Sequence, residues 1–190
     1  GNMIMDIGGG TTEIALISLS HIVVHNSIRV GGDKMDNDII NYLRKKNNLH
    51  VGLLTAEKIK TTIGSAYPLK EELTMEVRGR DIVSGFPVTI KISSEEIREA
   101  LSETVSTIVD SIKRLFERTA PELAADIAER GIYLTGGGAL LKGLDEKISK
   151  TVDLPVYVVP DALECVVKGA GKVLDDIDHY REVLIKRIED

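Results

Sequence analysis

The chain has 190 residues, 43% of them hydrophobic and 28% charged, which groups it with ordinary globular proteins and excludes a disordered or collagenous chain. Its 24 basic and 30 acidic residues leave a net charge of −6, and no basic block exceeds Arg44-Lys45-Lys46, so nucleic acid is excluded as a first partner. A single cysteine, Cys165, rules out an internal disulfide. The stretch 14–28 is too short and too polar to span a bilayer, and no basic region precedes an apolar one as in a signal peptide.

Gly1-Asn2 stands directly ahead of a strand and reads as a cloning scar or a cut edge. Three segments rich in Ile and Val, 3–7, 13–19 and 22–30, are separated by Gly or Ser and predict a β-meander. Asp33 opens a helix with Met35, Ile39, Ile40 and Leu43 on one face, ended by Asn47-Asn48. A second helix is expected from an N-cap at Thr55 as far as Pro68, with Ala56, Ile59, Ile63 and Ala66 inward. Over 73–92 the apolar period falls to two, which predicts a hairpin with one solvated face. Ser93 and Glu96 form a capping box before a long helix marked by Ile97, Leu101, Val105, Ile108, Ile112, Leu115 and Phe116. Pro121 and Gly131 bracket a short helix. A strand over 132–135, a glycine run, a helix over 139–150, a strand over 156–159 and a helix capped by Asp161 with Glu164 at N3 complete the reading. Without the segment 49–92 the order is βββα-αβαβα. That predicts an α/β fold, a five-stranded mixed sheet flanked by helices, carrying a small α+β insertion.

Two glycine runs carry the chemistry. In Asp6-Ile7-Gly8-Gly9-Gly10-Thr11-Thr12, at a strand-to-strand turn, three glycines let the backbone bend so that amide N–H groups reach an anion, and the threonines add hydroxyl donors. Asp6, just before the bend, suits a magnesium ion held through water. A tight hairpin turn would explain the glycines but not the flanking Asp and Thr. A dinucleotide-binding fingerprint would need glycine where Glu13 stands. In Gly131-Ile132-Tyr133-Leu134-Thr135-Gly136-Gly137-Gly138, a strand runs into a glycine triplet and then a helix, so a flat ligand can lie close to bare backbone; a packing turn would look the same. It is not a Walker A loop, since Leu144 follows Gly143 where Lys is needed. Glu57 and Lys60 lie one helical turn apart, a spacing that alone signals a solvated ion pair. Gly31-Gly32-Asp33 reads as a turn with its helix cap. The histidines have no zinc-ligand spacing.

In this order the motifs resemble one half of the actin, hexokinase and heat-shock chaperone ATPase superfamily. The stretches DIGGGTTEIALISL, SIRVGGDKMDNDIINYLRKK, MEVRGRDIVSGFP and APELAADIAERGIYLTGGGALLKGLD resemble the MreB family of bacterial actin-like cell-shape proteins, over essentially the whole chain. The resemblance implies an actin-like, ribonuclease H-like ATPase domain with ATP and Mg²⁺ as cofactors. Gly8, Gly9, Gly10, Thr11 and Thr12 would be its second phosphate loop, with Gly32 beside them and Asp6 on the metal. Gly136, Gly137 and Gly138 would be the adenosine motif, and Glu57 and Lys60 the ribose and adenine side. Residues 1–48 and 93–190 would correspond to subdomain IIA, with the C-terminal helix returning toward domain I, and 49–92 to subdomain IIB. The family's first phosphate loop, its water-orienting acid and its membrane-inserting segment have no counterpart here and would precede Met3. The implied protein polymerises with copies of itself and sits in the cytoplasm at the inner face of the bacterial membrane. It reaches the membrane through the other domain or a RodZ-type adaptor, and this part alone is expected to be inactive. Two alternatives are a non-catalytic module docking a filament neighbour or adaptor, and half of a related actin-fold kinase.

Overall fold

The computed structural model describes residues 1–181. Asn2–Ile7 (β1), Thr12–Ser18 (β2) and His21–Ile28 (β3) form the meander, and Gly32–Lys46 (α1) follows. Leu49–His50 (β4), Leu53–Ile63 (α2), Thr74–Asp81 (β5) and Pro87–Ser93 (β6) occupy the segment expected as an insertion, before the long helix Ser94–Phe116 (α3). Pro121–Arg130 (α4), Ile132–Thr135 (β7), a 3-10 turn Gly137–Leu140, Leu144–Val152 (α5), Val156–Val158 (β8), a second 3-10 turn Ala162–Glu164 and Cys165–Asp175 (α6) complete the order. The main sheet runs β3-β2-β1-β7-β8, antiparallel through the meander and parallel from β1 to β7 to β8. This is the expected five-stranded mixed sheet, and β4-β5-β6 forms a second, antiparallel sheet.

Period-two alternation on β1 sends Met3, Met5 and Ile7 to one face, where Ile14 and Leu16 of β2 and Ile132 and Leu134 of β7 join them, all at most 1% exposed. Helices α1 and α3 cover that face with Met35, Ile39, Leu43, Ile97, Leu101 and Ile108. Each such side chain contributes about 1.5–3 kcal/mol by leaving water. The capping box of α3 is complete: the Ser93 side chain accepts from Glu96 N, and the Ser93 amide donates to Glu96 Oε2 at 2.8 Å. Parallel register sets Asp6 beside Thr135. Both glycine runs therefore leave the sheet side by side, from the same carboxyl end.

Five local expectations are corrected. Helix α2 ends at Ile63 rather than at Pro68, because Gly64 already takes an extended ψ of 139°. Helix α2 starts after Gly52, and Thr55 is already helical, its amide donating to Gly52 O at 3.1 Å; the two leucines that precede it, Leu53 and Leu54, face solvent. The two-residue strand β4 is an addition, formed by pairing with Asp81 and Arg80. The helix expected over 139–150 is divided, because Gly143 adopts φ +68° between the 3-10 turn and α5. Asp161 is itself left-handed at φ 54° and makes no side-chain cap, so α6 begins only at Cys165. Residues 182–190 of the C-terminal reading lie outside the described part.

Candidate functional site

The first loop is built from its carbonyls inward. Gly8 N donates to Thr11 O at 2.9 Å and closes the turn between β1 and β2. The first amides of α1, those of Gly32 and Asp33, donate to Gly8 O and Gly9 O, both at 2.9 Å. The helix N-terminus thus holds the loop in place rather than standing open itself. Among the described residues the amides of Gly9, Gly10 and Thr11 have no intramolecular acceptor, the arrangement that oriented backbone donors need to receive an anion. Gly31 is required by packing, since a Cβ there would strike the carbonyl oxygens of Gly8 and Gly9. Thr12 lies beneath the loop at 0% exposure, and its hydroxyl donates to Val30 O at 2.7 Å. Its part is to support the turn from below, while Gly10 and Thr11 stand on the exposed rim.

The second loop packs on the end of β1. Gly136 has φ +81° and donates its amide to Ala162 O at 3.0 Å. A Cβ on Gly138 would run into the Ile7 side chain, 2.9 Å from its Cβ and 3.0 Å from its carbonyl oxygen. Gly137 meets only Leu163 Cδ2 at 3.1 Å and faces open space otherwise.

Helix α2 supplies the third wall. Lys60 Nζ donates to Gly32 O at 3.0 Å and lies 2.9 Å from Asp36 Oδ1 on α1. Only 15% of the Lys60 side chain and 11% of that of Asp36 are exposed. Burial raises Asp36 above the ordinary 3.8, and the Lys60 ammonium opposes that rise. Glu57 is exposed on the same helix and takes no part in the ion pair. The solvated Glu57–Lys60 pair that the spacing alone suggests is thus replaced by a shielded Lys60–Asp36 pair.

These walls enclose a cleft of about 450 Å³ lined by Gly8, Gly9, Gly32, Glu57, Lys60, Gly137 and Gly138. Seven of the twelve residues expected at the site from sequence line it; Gly10, Thr11, Thr12 and Gly136 flank or support the loops, and Asp6, whose carboxylate lies against Gly136, is not among the lining residues. Sequence reasoning missed Met35, Asp36, Thr61, Leu140 and Leu163, which also line it. Asp36 carried one signal, a carboxylate within the apolar stripe of α1 next to Met35 and three before Ile39.

Asp6 lies at the end of β1, opposite Glu13 of β2. Burial, with Glu13 adding to it, raises its carboxyl above the usual 3.8. Such an acid gains from a nearby cation, and one or two carboxylates with phosphate oxygens suit Mg²⁺, which retains several waters. No cluster of three or more His, Cys, Asp or Glu occurs among the described residues.

The five-stranded mixed sheet with its flanking helices is that of an actin-like domain. The family model described as MreB/Mbl protein matches residues 1–182, and the chain belongs to that family. It is 47% identical over 178 residues to the cell shape-determining protein Mbl of Bacillus subtilis, covering 94% of this chain and 54% of that protein. To the cell shape-determining protein MreB of Escherichia coli it is 49% identical over 180 residues, covering 95% and 52%. It spans about half the length of these relatives. The crystal structure of MreB5 of Spiroplasma citri bound to AMPPNP superposes with a TM-score of 0.91 at 44% identity, covering 96% of this chain and 55% of that one. The MamK filament structure, at TM-score 0.74 and 21% identity over 96% of this chain and 56% of that one, shares the fold.

Proposed function

We propose that this chain is the nucleotide-facing second half of an MreB-type bacterial actin homologue, which binds ATP with Mg²⁺ and polymerises into filaments that govern rod cell shape. One observation carries the reading: two glycine loops from neighbouring parallel strands, and Lys60 from the insertion, converge on a single cleft. The open amides of Gly9, Gly10 and Thr11 would receive phosphate oxygens. The bare backbone of Gly137 and Gly138 would admit the flat base, and Glu57 would accept from ribose hydroxyls beside Lys60. Bound Mg²⁺ would supply charge neutralisation on the phosphates, and Asp6 would hold its waters. Catalysis on this plan is positioning and electrostatic stabilisation, completed by groups from a second domain. Homologues solved with AMPPNP and with ADP support the nucleotide assignment.

Residues 1–48 and 93–190 would act as subdomain IIA and 49–92 as subdomain IIB. Stacking of one against the other in successive copies gives a heterologous contact that propagates. No helix among the described residues is long and apolar enough to cross a membrane. Residence at the inner membrane face would then rest on another domain or on a RodZ-type adaptor.

The test is a two-domain protein carrying these residues. ATP with Mg²⁺ should bring it into the pellet on sedimentation and release phosphate slowly, whereas residues 1–190 alone should release none above background. Turnover by the 190-residue chain equal to that of the two-domain protein would overturn the reading.

A further inference from the structure

Lys142 follows the second glycine loop and reaches across to α2. Its ammonium donates to Thr61 O and Thr62 O, both at 2.9 Å. Those carbonyls belong to the last turn of α2, where intrahelical donors run out and the negative end of the helix dipole favours a cation. The Lys142 backbone joins the same seam: Ala66 N donates to Lys142 O at 2.8 Å, and Ser65 pairs with Lys142 in a parallel bridge. One residue therefore ties the end of α2 to the loop of Gly137–Leu140 by both side chain and main chain.

The two parts it joins are facing walls of the cleft. Gly137, Gly138 and Leu140 line one, and Glu57, Lys60 and Thr61 the other; Thr61 also accepts from Lys142 directly. The phosphate loop is anchored separately, by the Gly32 and Asp33 amides. We infer that Lys142 is a positioning residue that sets the spacing of the nucleoside end of the cleft and leaves the phosphate end to α1. This rests on the nucleotide reading above.

The experiment compares ADP with inorganic pyrophosphate, each titrated by calorimetry into the two-domain protein that carries these residues. Lys142→Met keeps the aliphatic stem and removes the donors; Lys142→Arg restores them. In Lys142→Met the ADP affinity should fall about tenfold, well within what slight misplacement of a binding wall can cost, while pyrophosphate affinity holds. Lys142→Arg should recover most of the loss. Unchanged ADP affinity in Lys142→Met, or an equal loss for both ligands, overturns the inference, the latter marking a general loosening of the fold. Wild-type chain that binds pyrophosphate and ADP equally would instead overturn the nucleoside part of the nucleotide reading, and this inference with it.

Discussion

Lys60 reaches back across the cleft to Asp36, Nζ to Oδ1 at 2.9 Å, and leaves Glu57 on its own helix free to meet a ligand. The contact is not aligned as a hydrogen bond, and Asp36 Oδ1 is left without a hydrogen-bond partner. The ammonium also stands at the N-terminal turn of α1, the positive end of that helix, so the Asp36 carboxylate is what makes its position tolerable. Asp36→Ala should destabilise the nucleotide-free chain by about 1–3 kcal/mol, the range for stranding a shielded polar partner. Glu57→Ala should change stability by no more than about 0.5 kcal/mol, as for an exposed residue. In the two-domain protein it should weaken ATP binding by about 1–3 kcal/mol through loss of a charged acceptor. Melts of the apo forms and calorimetry with ATP check both halves.

The glycines divide into those that packing demands and those that stand open. Gly138→Ala places a methyl group on Ile7 and should cost about 1–3 kcal/mol by overpacking. Gly10→Ala meets nothing within 4 Å and should leave the denaturation midpoint nearly unchanged. Urea unfolding of the two variants should separate them; equal losses would mean that the first loop is as tightly packed as the second.

Glu72 is the clearest pH-sensitive tie in the insertion. Hydrogen bonds from Arg98 and Ser94 hold its carboxyl down at about 2, against an ordinary 4.5. Arg98 Nη2 donates to it at 2.8 Å, and Nη1 donates to Ser65 Oγ, also at 2.8 Å. A folded-state value below the unfolded one means that the contribution to stability is fully present above about pH 4.5 and is lost as pH falls toward about 2. Glu72→Gln should therefore be less stable than wild type at neutral pH, with the difference closing across that acid window. Parallel curves down to the lowest pH would contradict the pairing.

Asp6 has the opposite sign. Its folded-state value is raised, so ionisation opposes folding, and stability declines as pH rises through that raised value. Asp6→Asn should raise the melting temperature of the apo chain at neutral pH. In the two-domain protein it should reduce magnesium-dependent hydrolysis. A variant that melts lower and hydrolyses normally would return Asp6 to the role of a turn residue.

What could be read from sequence was local. The alternation of Met3, Met5 and Ile7, the Ser93–Glu96 capping box and the Pro121–Gly131 bracket each act within a few residues, and each element formed where its pattern lay. The α2 start lies ahead of the expected cap because Leu53 and Leu54 are helical yet solvent-facing, so neither a hydroxyl cap nor the buried stripe marks that end. Strand β4 owes its existence to Asp81 and Arg80, some thirty residues away. The glycine loops stand out in the sequence as candidate anion and ligand sites because glycine is chemically conspicuous, and Gly8, Gly9, Gly137 and Gly138 do line one cleft. Their separation into supporting and open positions does not stand out, since it depends on Ile7 and on the Gly8 and Gly9 carbonyls from other segments. Lys60 was found, but its partner Asp36 and the Lys142 tie to α2 emerge only when helices and loops distant in sequence are brought together.

The most direct test of the cleft assignment is amide chemical-shift mapping of the isotope-labelled 190-residue chain titrated with ADP and Mg²⁺. Concentration-dependent shifts centred on Gly9, Gly10, Thr11, Gly137 and Gly138 are expected, with smaller ones at Glu57 and Lys60. Shifts centred instead on the separate groove of Tyr67, Arg98 and Lys147, or no saturable shift at either glycine loop, would contradict the assignment.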